Sequence, residues 1–231
     1  MPLSHAFRLI IFDFDGTLVD SQRAILAAMA QAFAAHNLPS PAPEAVRRIV
    51  GLKLELAIAR LLPDPSDEDM ARRVADSYRT AYFTLRQRPD FEEPLFPGVH
   101  EGLQHLNTPP VCLGIATGKS RRGLLACLER HRIREHFVTL QTAENGPSKP
   151  HPEIVRLAMA EAGASPAETV LIGDTTYDME MAGNAGVAAI GVAWGYHGPA
   201  ELRVGGAERI VERFADLPAA LNATSRAQAC G

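Results

Sequence analysis

The chain has 231 residues, 46% of them hydrophobic and 22% charged, enough to bury the core of one large domain or of a domain carrying a smaller insertion. Its net charge is −4 without a long run of one sign, which predicts neither a nucleic-acid groove nor a membrane surface as partner. The three cysteines, Cys112, Cys127 and Cys230, are odd in number and far apart, so neither a disulfide framework nor a zinc site is expected. Residues 1–8 lack the apolar core of a signal peptide, and the simplest expectation is a reduced, cytoplasmic setting.

The run Arg8-Leu9-Ile10-Ile11-Phe12 reads as a buried strand leading into Asp13-Phe14-Asp15-Gly16-Thr17-Leu18-Val19. Strand side chains alternate, so Asp13 and Asp15 point to the same side. Neighbouring carboxylates repel and need a cation, a shared proton or both. Gly16 permits a sharp turn or a close approach to a ligand, and Thr17 adds a hydroxyl. An isolated Asp-x-Asp more often caps a turn. Behind an apolar strand, and with the motifs that follow, it reads as a place to bind a metal and act on an anionic group.

Residues 21–88 then read as helix after helix. Ile25, Leu26, Met29, Ala30 and Phe33 keep the helical period towards Asn37, shorter pieces over 46–62 break at Gly51, and Ser66-Asp67-Glu68-Asp69 opens a longer helix with Met70, Val74, Tyr78, Ala81 and Leu85 on one face. Pro89, Pro94 and Pro97-Gly98 close the region. Residues 20–89 are thus expected to form an all-helical insertion hinged near Asp20 and near 89–97. From residue 99 onward, apolar strands over 111–116, 137–140, 169–172, 188–192 and, more weakly, 209–211 alternate with helices over 99–106, 120–131, 152–162, 177–185 and 217–222. Alternation of this kind predicts an α/β fold, a Rossmann-like parallel sheet built from 1–19 and 90–223 and covered on both faces, with a flexible tail over 224–231.

In such sheets ligands sit beyond the carboxyl ends of the strands. Three strand ends carry suitable residues: Asp13, Thr117-Gly118-Lys119-Ser120 and Gly173-Asp174. Thr117 and Gly118 at a helix N-terminus make an oxyanion site. Lys149 lies in Pro147-Ser148-Lys149-Pro150-His151-Pro152, where prolines restrict the backbone and hold its ammonium in place, while His151 reads as a loop residue. Asp174 can reach the same cation as Asp13, and Asp178, one helical turn on, can hold a metal-bound water or orient Lys149. Of the 23 basic residues only Lys53, Lys119 and Lys149 are lysines. Two of them lie in these motif-like loops, where a compact charge differs from a planar fork. Lys53 follows Gly51-Leu52 at the break in the insertion, where it could meet a substrate carboxylate or simply be solvated.

These four motifs, in this order, resemble those of the haloacid dehalogenase (HAD) superfamily, and the helical insertion resembles that superfamily's cap of the first type. Phe96-Pro97-Gly98-Val99 resembles the re-entry into the core. Gly191-Val192-Ala193-Trp194-Gly195-Tyr196 and Ala215-Asp216-Leu217 resemble phosphoglycolate phosphatases and their pyrophosphatase-like relatives. The resemblance implies a Mg2+-dependent phosphatase acting on a small phosphorylated metabolite, phosphoglycolate-like, through an aspartyl phosphate. Asp13 would be the nucleophile, Asp15 the proton donor and later the base, Lys149 the neutralising cation, and Thr117 with Gly118 the phosphoryl cradle. Asp13, Asp15 through its backbone carbonyl, Asp174 and Asp178 would surround the metal. A carboxylate at position 15 fits an alkoxide leaving group and disfavours carbon–halogen substrates. A phosphomutase of the β-phosphoglucomutase kind, a pyrophosphatase and a non-catalytic phosphate-binding module are the competing readings.

Overall fold

The computed structural model describes residues 7–229, with side chains through Thr224. Strand β1 (Leu9–Phe12) is apolar and buried at every position, the pattern of a strand covered on both faces. It lies at the centre of a six-stranded sheet with β2 (Cys112–Ala116), β3 (Phe137–Gln141), β4 (Thr169–Gly173), β5 (Ala188–Val192) and β6 (Arg209–Val211). The order is β3-β2-β1-β4-β5-β6 and every pair is parallel. The direction of winding reverses about β1, which puts the ligand crevice of a doubly wound sheet at the ends of β1, β2 and β4.

Period-two alternation along β1 sorts the two faces. Ile10 and Phe12 join a core with α5 (Val99–Leu106), α6 (Arg121–His131) and α10 (Leu217–Ala229). Leu9 and Ile11 point the other way, to α7 (Glu153–Ala162), α8 (Thr176–Ala185) and α9 (Pro199–Gly205). Between β1 and β2 the chain forms α1 (Gln22–Ala34), α2 (Pro43–Ile49), α3 (Leu54–Ala59) and α4 (Glu68–Arg86), which share a separate apolar cluster centred on Met29, Phe33, Ile58 and Val74. Asp67 caps α4 by accepting from the Met70 backbone N–H at 2.8 Å.

The two strands of chain leading into and out of this helical insertion run side by side. The Asp20 N–H donates to the Pro94 carbonyl at 2.8 Å, and the Phe96 N–H donates to the Leu18 carbonyl at 3.0 Å. Two features depart from the sequence reading. Helix α9 was not anticipated, because Leu202 is its one buried residue and it shows no apolar stripe. Helix α10 continues to Ala229 and buries Thr224, beyond the expected end at 222; the rest of the expected tail lies outside the described residues. Cys112 and Cys127 are free thiols, and Cys230 is outside the described residues. No helix among the described residues is long and apolar enough to cross a membrane.

Candidate active site

Four loops meet at the carboxyl edge of the sheet. Asp13 leaves the end of β1 with its backbone N–H donated to the Ile172 carbonyl on β4, at 2.9 Å. Its carboxylate is 2.8 Å from the Lys149 ammonium, which also donates to Asp178 at 2.6 Å. All three side chains are essentially buried. Asp174, at the end of β4, accepts from the Thr17 hydroxyl at 2.8 Å and from the Tyr196 backbone N–H at 2.9 Å. Asp178 sits in the first turn of α8, where its second oxygen accepts from the Thr175 hydroxyl (2.6 Å) and N–H (3.1 Å) and so completes the helix cap.

Asp13, Asp174 and Asp178 each offer an oxygen within 4.8 Å of the others. Burial pushes the Asp13 carboxyl up to about 7 despite the opposing charge of Lys149. Burial, and then the charges of Asp13 and Asp178, raise Asp174 well above the ordinary carboxylate range. The Lys149 ammonium is held above its usual range because these carboxylates outweigh the cost of burying it. Although Lys149 lies close, neither oxygen of Asp13 receives a well-directed hydrogen bond. Buried, poorly satisfied carboxylate oxygens facing two further carboxylates are the donor set of a hard divalent cation. The residues therefore fit Mg2+.

Thr117 follows β2 and is buried, and its hydroxyl accepts from the Lys119 N–H at 3.2 Å. Gly118 lies against the insertion: a Cβ there would sit 2.5 Å from the Gly51 carbonyl oxygen and 2.8 Å from that of Leu52. The neighbouring Lys53 N–H donates to the Ser148 hydroxyl at 2.9 Å, one residue from Lys149. The insertion thus touches both the phosphoryl-type loop and the lysine loop. A cavity of about 470 Å³ lies between them, with Asp13, Asp15, Thr117, Gly118 and Lys53 in its wall.

The Asp15 side chain stands apart from the three clustered carboxylates. It accepts from Lys119 at 2.8 Å, and Lys119 also reaches Glu93 at 3.2 Å. Glu93 is buried between core and insertion, accepting from the Tyr82 hydroxyl at 2.6 Å and from Arg86 at 3.2 Å. Burial alone would raise the Glu93 carboxyl, but Lys119 and Arg86 outweigh it and hold it at about 2. Sequence reasoning missed this network. Its one visible trace is Lys119 itself, a lysine where this chain otherwise favours arginine.

Tyr196 has a defined part too: its N–H fixes Asp174, and its hydroxyl is 3.3 Å from Ser21 at the start of the insertion. The Trp194 indole N–H donates to the Thr17 carbonyl at 3.0 Å. These contacts give a physical role to the Gly191–Tyr196 stretch (residues 191–196), which the sequence marked by resemblance alone.

Residues 10–192 match the family model described as haloacid dehalogenase-like hydrolase. A protein named probable phosphatase IndB from Dickeya dadantii is 37% identical over 216 residues, covering 93% of this chain and 94% of its own. A phosphoglycolate phosphatase from Vibrio vulnificus is 31% identical over 200 residues, covering 82% and 85%. The solved structure of a haloacid dehalogenase-like family hydrolase from Streptococcus pneumoniae superimposes with a TM-score of 0.80 at 27% identity, covering 94% of this chain and 99% of that one. The ordered motifs, the parallel sheet and these matches agree, and the chain belongs to the haloacid dehalogenase-like hydrolases.

Proposed function

We propose that this enzyme is a Mg2+-dependent phosphatase that hydrolyses a small organic phosphate monoester through an aspartyl phosphate on Asp13. The observation that carries the reading is the meeting of Asp13, Lys149, Asp174 and Asp178 in one buried group at the sheet edge. Relatives bearing phosphatase names support it, and phosphoglycolate is the reference substrate for the same reason. The reading places the enzyme in the cytoplasm, with a small phosphorylated metabolite as its partner and no nucleic acid.

Asp13 attacks phosphorus, and the bond from phosphorus to the alcohol oxygen breaks. Asp13, Asp174, Asp178 and the Asp15 backbone carbonyl would hold a divalent cation, whose charge would offset that of the phosphoryl oxygens. Lys149 opposes the effect of burial on Asp13, favouring the ionised form of the attacking carboxylate, and neutralises one phosphoryl oxygen. The Thr117 hydroxyl and the Gly118 backbone hold the remaining oxygens. In its protonated form Asp15 delivers a proton to the departing alkoxide, and the carboxylate so formed takes one from the water that cleaves the aspartyl phosphate. Thr175 and Lys149 fix Asp178, and Thr17 and Tyr196 fix Asp174, so the carboxylates need little rearrangement when substrate binds.

Acid quenching during turnover of a substrate labelled in the phosphate is expected to leave label on Asp13. Asp13→Asn is expected to abolish both labelling and phosphate release with the fold intact, and excess chelator to stop the wild type. Undiminished release by Asp13→Asn would refute the mechanism.

A further inference from the structure

The cavity between insertion and core is larger and more apolar than a short phosphate ester needs. Its volume of about 470 Å³ lies within the ~300–1,000 Å³ of pockets that take drug-sized ligands. With a phosphoryl group against Asp13, Thr117 and Gly118, most of that space faces the insertion. There the wall is apolar, from Met29, Ile49 and Leu52, and aromatic, from Tyr78, Tyr82 and Phe83 on α4.

Three of the five cations in this wall are already matched. Lys119 is paired with Asp15 and Glu93, Arg86 with Glu93, and Arg79 with Glu55. Among the described residues lining the cavity, the cations in no ion pair are Lys53 and Arg122, and both are exposed. Apart from these two exposed groups, a carboxylate one carbon from the ester oxygen, as in phosphoglycolate, would meet Asp15 and cations that are already paired.

The rings on the aromatic side are engaged to different degrees. The Tyr82 ring is engaged, with Lys119 5.2 Å and Arg86 5.1 Å from its centroid and its hydroxyl on Glu93. Tyr78 is half-buried, 5.7 Å from the Tyr82 ring, and its hydroxyl has no hydrogen-bond partner among the described residues. Rings of this kind gain most from offset stacking on another flat ring.

We propose that the substrate is a phosphate monoester whose alcohol carries a flat apolar ring packed against Tyr78, and that Tyr78 is a specificity-determining residue. The proposal rests on the phosphatase reading above and names its substrate class. Benzyl phosphate is a suitable probe, because its leaving group is an alkoxide like that of phosphoglycolate and the two differ in the body they carry.

With Mg2+ and the full chain, kcat/KM for benzyl phosphate is expected to exceed that for phosphoglycolate by about tenfold or more. Tyr78→Ala is expected to lower the benzyl phosphate value about tenfold further than the phosphoglycolate value, and Tyr78→Phe to retain the preference. Equal or better use of phosphoglycolate, or an equal loss for both esters in Tyr78→Ala, overturns the proposal. Calorimetric binding of the two esters to Asp13→Asn separates this from failure of the phosphatase reading. If nothing is turned over, that reading falls, while tighter binding of benzyl phosphate that is lost on adding Tyr78→Ala upholds the ring site. Equal binding of both esters, or binding of neither, ends it.

Discussion

Replacing Glu93 with Gln tests whether the buried network between core and insertion stabilises the fold through charge. Glu93 is fully buried as a side chain and held at about 2 by Lys119 and Arg86, against an ordinary value of 4.5. At ~1.4 kcal/mol per pH unit, that difference is worth about 3 kcal/mol of stability. Because the folded-state value is depressed, the contribution is complete above pH 4.5 and fades as pH falls through about 2. The linkage relation leaves about 1.4 kcal/mol at pH 3. Urea unfolding, followed by the fluorescence of Trp194 and by far-ultraviolet dichroism, measures the difference between wild type and Glu93→Gln. The variant is expected to be less stable by about 3 kcal/mol at pH 7, with the gap narrowing to about 1 kcal/mol at pH 3. A gap that stays constant between these pH values would show that Glu93 acts through shape and hydrogen bonding rather than charge.

Asp15→Asn is expected to slow turnover of alkyl phosphates by roughly 10²–10⁴-fold, with a smaller loss for nitrophenyl phosphate in single-turnover assays; equal losses would remove Asp15 as the acid. Asp174→Ala is expected to raise the Mg2+ concentration needed for half-maximal activity more than Asp178→Ala does, because the Asp178 carboxylate is already paired with the Lys149 ammonium whereas Asp174 accepts only from the neutral Thr17 and Tyr196 groups. Metal titrations of both variants decide this. Gly118→Ala is expected to raise KM and to lower the unfolding midpoint, since the new methyl would push against the Gly51 and Leu52 backbone carbonyls; an unchanged KM would show that the insertion need not close there. Lys53→Ala is expected to raise KM for a carboxylate-bearing ester more than for nitrophenyl phosphate, and equal small changes would mark Lys53 as solvated.

The sheet was legible because its buried strands are short apolar runs, such as Leu9-Ile10-Ile11-Phe12, and most are followed by a helix with its own stripe, α9 after β5 being the exception. The clustered residues were legible because strand ends bring them together: Asp13, Thr117 and Asp174 need only the parallel order of β1, β2 and β4 to converge. The Lys119–Glu93–Tyr82 network was not legible. Its members lie 26 and 11 positions apart along the chain, and their meeting depends on how α4 seats against the core, which no local pattern encodes. The Asp15 side chain follows the same logic: alternation places it on the side of Asp13, but Lys119 draws it away from the carboxylate group.

The adjacent crossings at Leu18–Asp20 and Pro94–Phe96 (residues 18–20 and 94–96) bear on how β1 finds β2. The paired residues Phe12 and Ile115 are separated by about a hundred positions, yet they are neighbours in the sheet. Closing so long a loop as random coil is entropically costly, although the cost rises only logarithmically with length. Once the insertion has gathered its own apolar cluster and its two ends are tied by the Asp20–Pro94 and Phe96–Leu18 bonds, the effective loop shrinks to a short ribbon. The same arrangement makes the insertion exchangeable. A helical unit of another length, spliced at Asp20 and Pro94, would alter what covers the cavity without changing the register of a single strand.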